Sequence, residues 1–250
     1  MSYHLYCAMR RPESGDPAMP PGVGGETVHL VCREHLGLAV SRVDEGDLSF
    51  DLAGVRAHAQ VVASLNRCRT VIPLRYGCRL ADESQVARLL LERGPRYAAL
   101  LQELDGCVEM GLRVLLPSGP WAAVIPGGPA GRREVAGPCP PDPAAAPDRL
   151  GLTYLTGRKA HYAHQDSWTK EYHQAAERCR EQFAGLYVKC KTEAPSPRLP
   201  LLSLYFLVPS PAVEAFRQAF RQLTESESAR LLLSGPWPPY NFVTSGPSLI

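Results

Sequence analysis

The sequence predicts a two-domain α+β protein, divided near residue 104. Three observations lead there. Runs that alternate apolar and polar residues, the period of a strand, are interleaved with stripes that step by three and four, the period of a helix. Counted from Val108, these runs follow the order strand, helix, strand, strand, helix, strand, which is the βαββαβ order of a ferredoxin-like domain. The earlier runs follow a related α+β order that lacks a clear early helix, and the two parts show no close sequence repeat. A chain of 250 residues is long enough to bury a real core.

The first part begins with Tyr3, Leu5, Cys7 and Met9 alternating with His4, Tyr6 and Ala8, a strand with one more apolar face. A polar, Pro/Gly-rich loop follows over residues 10–25. Its Gly22-Val23-Gly24-Gly25 run reads as a turn, because it precedes a strand and a phosphate cradle needs a helix N-terminus after it. Val28, Leu30 and Cys32 alternate, and so do Leu36, Leu38 and Val40 beyond a short polar break, which predicts a hairpin. Leu52, Val55, Ala59, Val62 and Leu65 mark one face of a helix, with His58 on the edge of that stripe. Thr70 to Tyr76 is strand-like. Pro73 has no N–H to give a ladder, so this strand belongs at an edge or at a bulge. Residues 82–104 carry a helical stripe, which Gly94-Pro95 is expected to break or kink.

The second part opens on Val108, Met110, Leu112, Val114 and Leu116, five even positions that predict one buried face. Glu109 and Arg113 are expected to project from the opposite, exposed face. Residues 117–150 are loaded with Pro, Gly and Ala and read as a surface insertion. A helix is expected from Arg158, with Trp168, Tyr172, Ala175, Cys179 and Phe183 along it, then a short strand, Leu186 to Lys191. Leu199 to Val208 is apolar at nearly every position, as a central strand covered on both faces would be. Ser210-Pro211 reads as N-cap and first helical residue, with Val213, Phe216, Phe220 and Leu223 as the buried stripe of the helix that follows. Arg230 to Ser234 is a last strand.

Composition narrows the function. With 27 Lys+Arg against 25 Asp+Glu, the net charge of +2 excludes a nucleic-acid binder that works by bulk electrostatics. No apolar run approaches the roughly 18–20 residues needed to span a bilayer. Met1-Ser2-Tyr3-His4-Leu5 lacks a basic segment followed by an apolar one, so a cytoplasmic protein is expected. The eight Cys include no C-x-x-C pair and read as reduced core thiols. His161 and His164 are spaced to face one metal, near Asp166, Glu171 and His173. No third ligand falls at helical spacing, so a solvated helix face is expected there. His58 is tied to no Ser or Cys by a recognisable motif, and there is no nucleophile elbow, P-loop or dinucleotide fingerprint. No catalytic residue, cofactor or metal is therefore expected.

The most specific local signal is the run from Ser234 to Phe242. Its three prolines stiffen the chain and present Trp237, Tyr240 and Phe242 at little entropic cost. The run reads either as a docking surface or as the closure of the second domain's core after its last strand. The candidate interaction residues are Pro73, Arg75 and Tyr76 on the edge strand, Glu109 and Arg113 on the expected open face, and Trp237, Pro238, Pro239 and Tyr240 in the C-terminal run.

Three segments resemble one family. Thr70-Val71-Ile72-Pro73-Leu74-Arg75-Tyr76-Gly77, the stretch from Gly106 to Val114, and the stretch from Gly235 to Val243 resemble, in order, three segments of the gas vesicle protein GvpL/GvpF family. His58 also matches. Ala59, Cys107 and the Pro-rich insertion depart from the family pattern. The resemblance implies two α+β domains, the N-terminal one ferredoxin-like, and a non-enzymatic accessory component of gas vesicles. It implies contact with the small hydrophobic shell protein, of the GvpA type, and with other accessory proteins during assembly. Two other readings stand beside it. A small-molecule-binding regulatory protein expects a pocket of converging polar groups between the domains. A Cys/His hydrolase or metalloenzyme expects a Cys or a metal within about 3–4 Å of His58 or of residues 161–173.

Overall fold

The strand β1 (Ser2–Arg10) runs through the first sheet, with β3 (Leu36–Val43) on one side and both β4 (Val71–Pro73) and β5 (Arg79–Leu80) on the other. β2 (His29–Arg33) completes the expected hairpin with β3 and gives the order β2-β3-β1-β4, every pairing antiparallel. These elements belong to a computed structural model that describes residues 2–13, 18–44, 52–116, 169–193, 201–226 and 229–243. The insertion over residues 117–150, and His161, His164 and Asp166, lie outside the described residues.

The alternation along β1 changes phase at Tyr6. Register passes from Leu5↔Val40 to Cys7↔Ala39, a β-bulge. The extra residue exchanges the strand's faces, so Tyr3 and Leu5 enter one core while Cys7 and Met9 enter the opposite one. The expectation that all four share a face is corrected. Helices cover both sides. α1 (Leu52–Cys68) packs Val61, Val62 and Leu65 with Tyr6, Met9 and Val71, and α2 (Glu83–Glu103) packs Val86, Leu90, Tyr97 and Leu101 with Leu5, Leu38 and Ile72.

Two helix expectations are also corrected. The buried residues of α1 are Gly54, His58, Val61, Val62 and Leu65, whereas Leu52 and Val55 are exposed. The stripe is rotated so that His58 lies inside it. α2 starts on Asp82, whose carboxylate accepts from the Gln85 N–H at 2.9 Å, and runs unbroken through Gly94-Pro95. Pro95 removes one donor, which leaves the Leu91 carbonyl without its helical partner. Both residues are exposed, so solvent meets that carbonyl and the helix survives.

The second sheet has the order β7-β8-β6-β9, all antiparallel, built from β6 (Cys107–Leu115), β7 (Lys189–Thr192), β8 (Leu201–Pro209) and β9 (Arg230–Trp237). α3 (169–182) and α4 (Val213–Ser226) complete the chain order β-α-β-β-α-β. Residues of both helices share one core with Met110, Leu112 and Val114 of β6 and Leu202, Leu204, Phe206 and Val208 of β8. Phe183 stacks on Phe216 with ring centroids 4.1 Å apart, and Phe206 packs on both. The other side of β8 contributes Leu207 to the first half's core, so β8 is covered on both faces as its composition predicts.

Two details differ from expectation. Ser210-Pro211 opens a short 3-10 turn rather than capping α4, and the Ser210 hydroxyl and N–H both donate to the Gly106 carbonyl at 2.8 Å. The cysteines among the described residues are not uniformly core: Cys7 and Cys179 are buried and Cys68 is exposed. Among the described residues no helix is long and apolar enough to cross a membrane.

Candidate functional site

The three segments that stand out in the sequence meet in space. Thr70, just before β4, donates from Oγ1 to Asp105 Oδ1 at 2.9 Å and accepts from the Gly106 N–H at 3.3 Å. From β6, Glu109 holds the C-terminal run. Its Oε2 accepts from the Asn241 N–H at 2.8 Å and its Oε1 from Asn241 Nδ2 at 2.7 Å. Both carboxylate oxygens thus have a donor, which is how a buried carboxylate is tolerated. Burial pushes the Glu109 pKa up, and the Asn241 bonds and the nearby Lys191 charge oppose that. Lys191 also donates to the Asn241 carbonyl at 2.8 Å, and its Nζ sits 5.7 Å from the Phe242 ring centroid.

Glycine is required where β9 crosses β6. Gly235 has φ +114°, and a Cβ there would stand 2.7 Å from the Glu109 carbonyl oxygen. Past this crossing the chain turns into the first half. Phe242 and Val243 are buried with Leu5, Ile72 and Leu74, and Tyr240 packs on the cluster of Tyr6, Met9 and Val71. The aromatic run therefore does not close the second half's core. It spans the seam and completes the cores of the first half. The Lys189–Glu103 pair, 2.7 Å apart, joins β7 to α2 across the same seam.

A second polar cluster lies inside the first half. His58 Nε2 is 3.0 Å from the Leu74 carbonyl oxygen, and His58 Nδ1 is 2.9 Å from His4 Nε2. A carbonyl only accepts, so His58 carries its proton on Nε2. Its Nδ1 is then the acceptor for the His4 Nε2–H. His4 Nδ1 is a buried acceptor with no partner among the described residues. Tyr6 stacks on His58 at 5.3 Å, shares a 2.8 Å hydrogen bond with Ser41 Oγ and accepts from the Val23 N–H at 2.8 Å. Burial favours the neutral rings and pulls the His4 pKa down to about 3 and the His58 pKa down to about 4. With both nitrogens of His58 engaged, this imidazole has no free base with which to activate a thiol. Among the described residues no group of three or more His, Cys, Asp or Glu is placed to hold a metal. His173 is exposed on α3.

The candidate interaction residues divide by burial. Pro73, Glu109, Pro238 and Pro239 are buried, and Tyr76 and Tyr240 are half-buried. The expected projection of Glu109 to solvent is corrected: it is 4% exposed because Asn241 and the C-terminal run fold over it. Tyr76 lies against His4 and His58, with centroids 5.4 and 5.8 Å away. Arg75, Arg113 and Trp237 remain exposed. Arg113 pairs across the sheet with Leu232, itself 61% exposed, and Trp237, 52% exposed, pairs with Glu109. Paired residues share a face, so Arg113 and Leu232 lie side by side on β6 and on the edge strand β9. The sequence reading missed Leu232, hidden inside an apolar triplet, and the Glu109–Asn241 pair, whose members are far apart in the chain.

Two antiparallel sheets with helices, joined by a seam of hydrogen-bonded and aromatic residues, define an α+β protein of a kind already seen in solved structures. The crystal structure of the gas vesicle protein GvpF from Anabaena sp. PCC7120 matches with a TM-score of 0.74 at 15% identity, covering 98% of this chain and 97% of that one. GvpF from Microcystis aeruginosa matches with a TM-score of 0.74 at 14% identity, covering 97% and 99%. In sequence, gas vesicle protein L of Streptomyces sp. (strain CB03234) is 29% identical over 262 aligned positions, covering 94% of this chain and 90% of that protein. Gas vesicle protein F of the same organism is 27% identical, covering 97% of this chain and all of that protein (100%). The model of the gas vesicle synthesis protein GvpL/GvpF family matches residues 2–244, and the chain belongs to that family.

Proposed function

We propose that this protein is a non-enzymatic accessory component of gas vesicle formation that binds the small hydrophobic shell protein through the outer edge of its second sheet. Family membership over nearly the whole chain supports the accessory role. The open lane on β6 and β9 carries the contact. Leu232 and Trp237 offer apolar surface on an edge strand, and Arg113 supplies a charge beside them. An edge strand has unpaired backbone groups and accepts a further strand, while exposed apolar side chains favour a greasy partner. Other accessory proteins of the vesicle are further partners in this reading. The protein acts in the cytoplasm, on the vesicle. Each half is a ferredoxin-like domain, divided between residues 104 and 105, with α2 as the connecting helix.

The test is co-purification of purified shell protein with the tagged full chain. Trp237→Ala combined with Leu232→Ser is expected to lower capture at least tenfold while the melting temperature stays within about 2 °C, as suits exposed positions. Equal capture by wild type and variant would remove the β9 edge from the contact.

A further inference from the structure

A cavity of about 630 Å³ opens on the seam at the ends of β1 and α1. Arg10 and Arg11 line it from the end of β1, and Arg67 and Arg69 from the end of α1. The second half adds Gly106 and Ser210. The hydrogen bonds among Thr70, Asp105, Gly106 and Ser210 hold this wall in place. The volume falls within the roughly 300–1,000 Å³ common for small-ligand sites. A pocket of polar groups between the halves is also what the regulatory reading of the sequence expects.

Charge selects the class of ligand. Four arginines face two carboxylates, Glu13 and Asp105, in a chain whose entire net charge is +2. Asp105 is already engaged with Thr70. None of the four guanidiniums makes an ion pair or hydrogen bond among the described residues, and Arg69 Nε is buried without an acceptor. A buried donor left unmade is costly for Arg69, and Arg10, Arg11 and Arg67, all exposed, add like charges around the concavity that an anion would offset. The free carbonyls at the C-terminus of α1 account for Arg67 and Arg69, but not for Arg10 and Arg11, which arrive from a strand. Guanidinium forks match phosphate oxygens two at a time. The described lining contains no aromatic side chain, so nothing there stacks on a base.

We propose that this arginine-lined cavity binds a compact oligophosphate, the phosphate chain itself rather than an attached base being recognised. Calorimetric titration of the full chain with pyrophosphate, tripolyphosphate and ATP, at constant ionic strength, tests it and separates a free oligophosphate from a nucleotide. Saturable binding of pyrophosphate and tripolyphosphate is expected, with ATP no tighter than tripolyphosphate. Arg10→Ala combined with Arg69→Ala is expected to weaken binding at least tenfold, and the milder Arg11→Gln about threefold. Arg88→Ala on α2, which removes the same charge outside the cavity, is expected to stay within twofold. Absence of saturable binding to the wild type, equal binding by the Arg11→Gln and Arg88→Ala proteins, or ATP binding tenfold tighter than tripolyphosphate would overturn the proposal.

Discussion

The two sheets are clothed differently. The first lies between its own helices, α1 on one face and α2 on the other, and β1 and β3 are buried at nearly every central position. The second carries both α3 and α4 on one face. Its other face is covered at one end, where Glu109 and Leu207 meet the C-terminal run and the first half, and is open at the other, where Arg113 and Leu232 lie. The first half thus covers both faces of its sheet, and the second leaves part of one face open among the described residues. A sheet with part of one face open and, among the described residues, an unpaired edge is a place for a partner.

The sharpest way to break this contrast is to cut the seam. Phe242→Ala removes a side chain buried in the first half's core and should cost about 4 kcal/mol, read by urea denaturation. If the run binds the halves into one unit, the single unfolding transition should also split in two. A loss below about 1 kcal/mol would mean that the seam is a loose contact.

The next test separates the halves by acid. His4 and His58 titrate near 6.5 when unfolded but only at about 3 and 4 when folded. Below pH 6.5 the unfolded chain therefore binds more protons, and stability falls as pH falls until the folded values are reached. The slope is about 1.4 kcal/mol per pH unit for each histidine. His58→Gln should remove about half of the slope between pH 6 and pH 4.5 in a series of denaturation curves. An unchanged slope would mean that another group drives the acid loss. The smallest effect is expected on the open face: Leu232→Ser should shift stability by less than about 0.5 kcal/mol, and a larger loss would show Leu232 to be packed.

Much of this architecture is legible in the sequence because period reports which face a residue occupies. The β6 alternation, the apolar β8 run and the hairpin of β2 and β3 all appear where the pattern puts them. The failures have local causes. The bulge at Tyr6 changes phase inside an otherwise regular strand, and no residue there signals it. Pro95 is tolerated because its orphaned carbonyl faces solvent, a matter of which side of the helix it falls on. Alternation assigns Glu109 to the non-core side of β6 correctly. It cannot say that Asn241 and Phe242 return to cover that side, because pattern carries no long-range partner. The same limit hides the His4–His58 bond and leaves the C-terminal run undecided between docking and closure of the second half, when Tyr240 and Phe242 cross to the first half and Trp237 stays exposed.

Leu5 leaves the ribosome long before Phe242, yet they share one cluster. The N-terminal half cannot finish its interior until Phe242 has been synthesised, although domains commonly fold in order of synthesis. Until then Leu5, Ile72 and Leu74 lack one of their apolar neighbours. Maturation of the first half is in that sense a closing event, timed by the emergence of the C-terminal run.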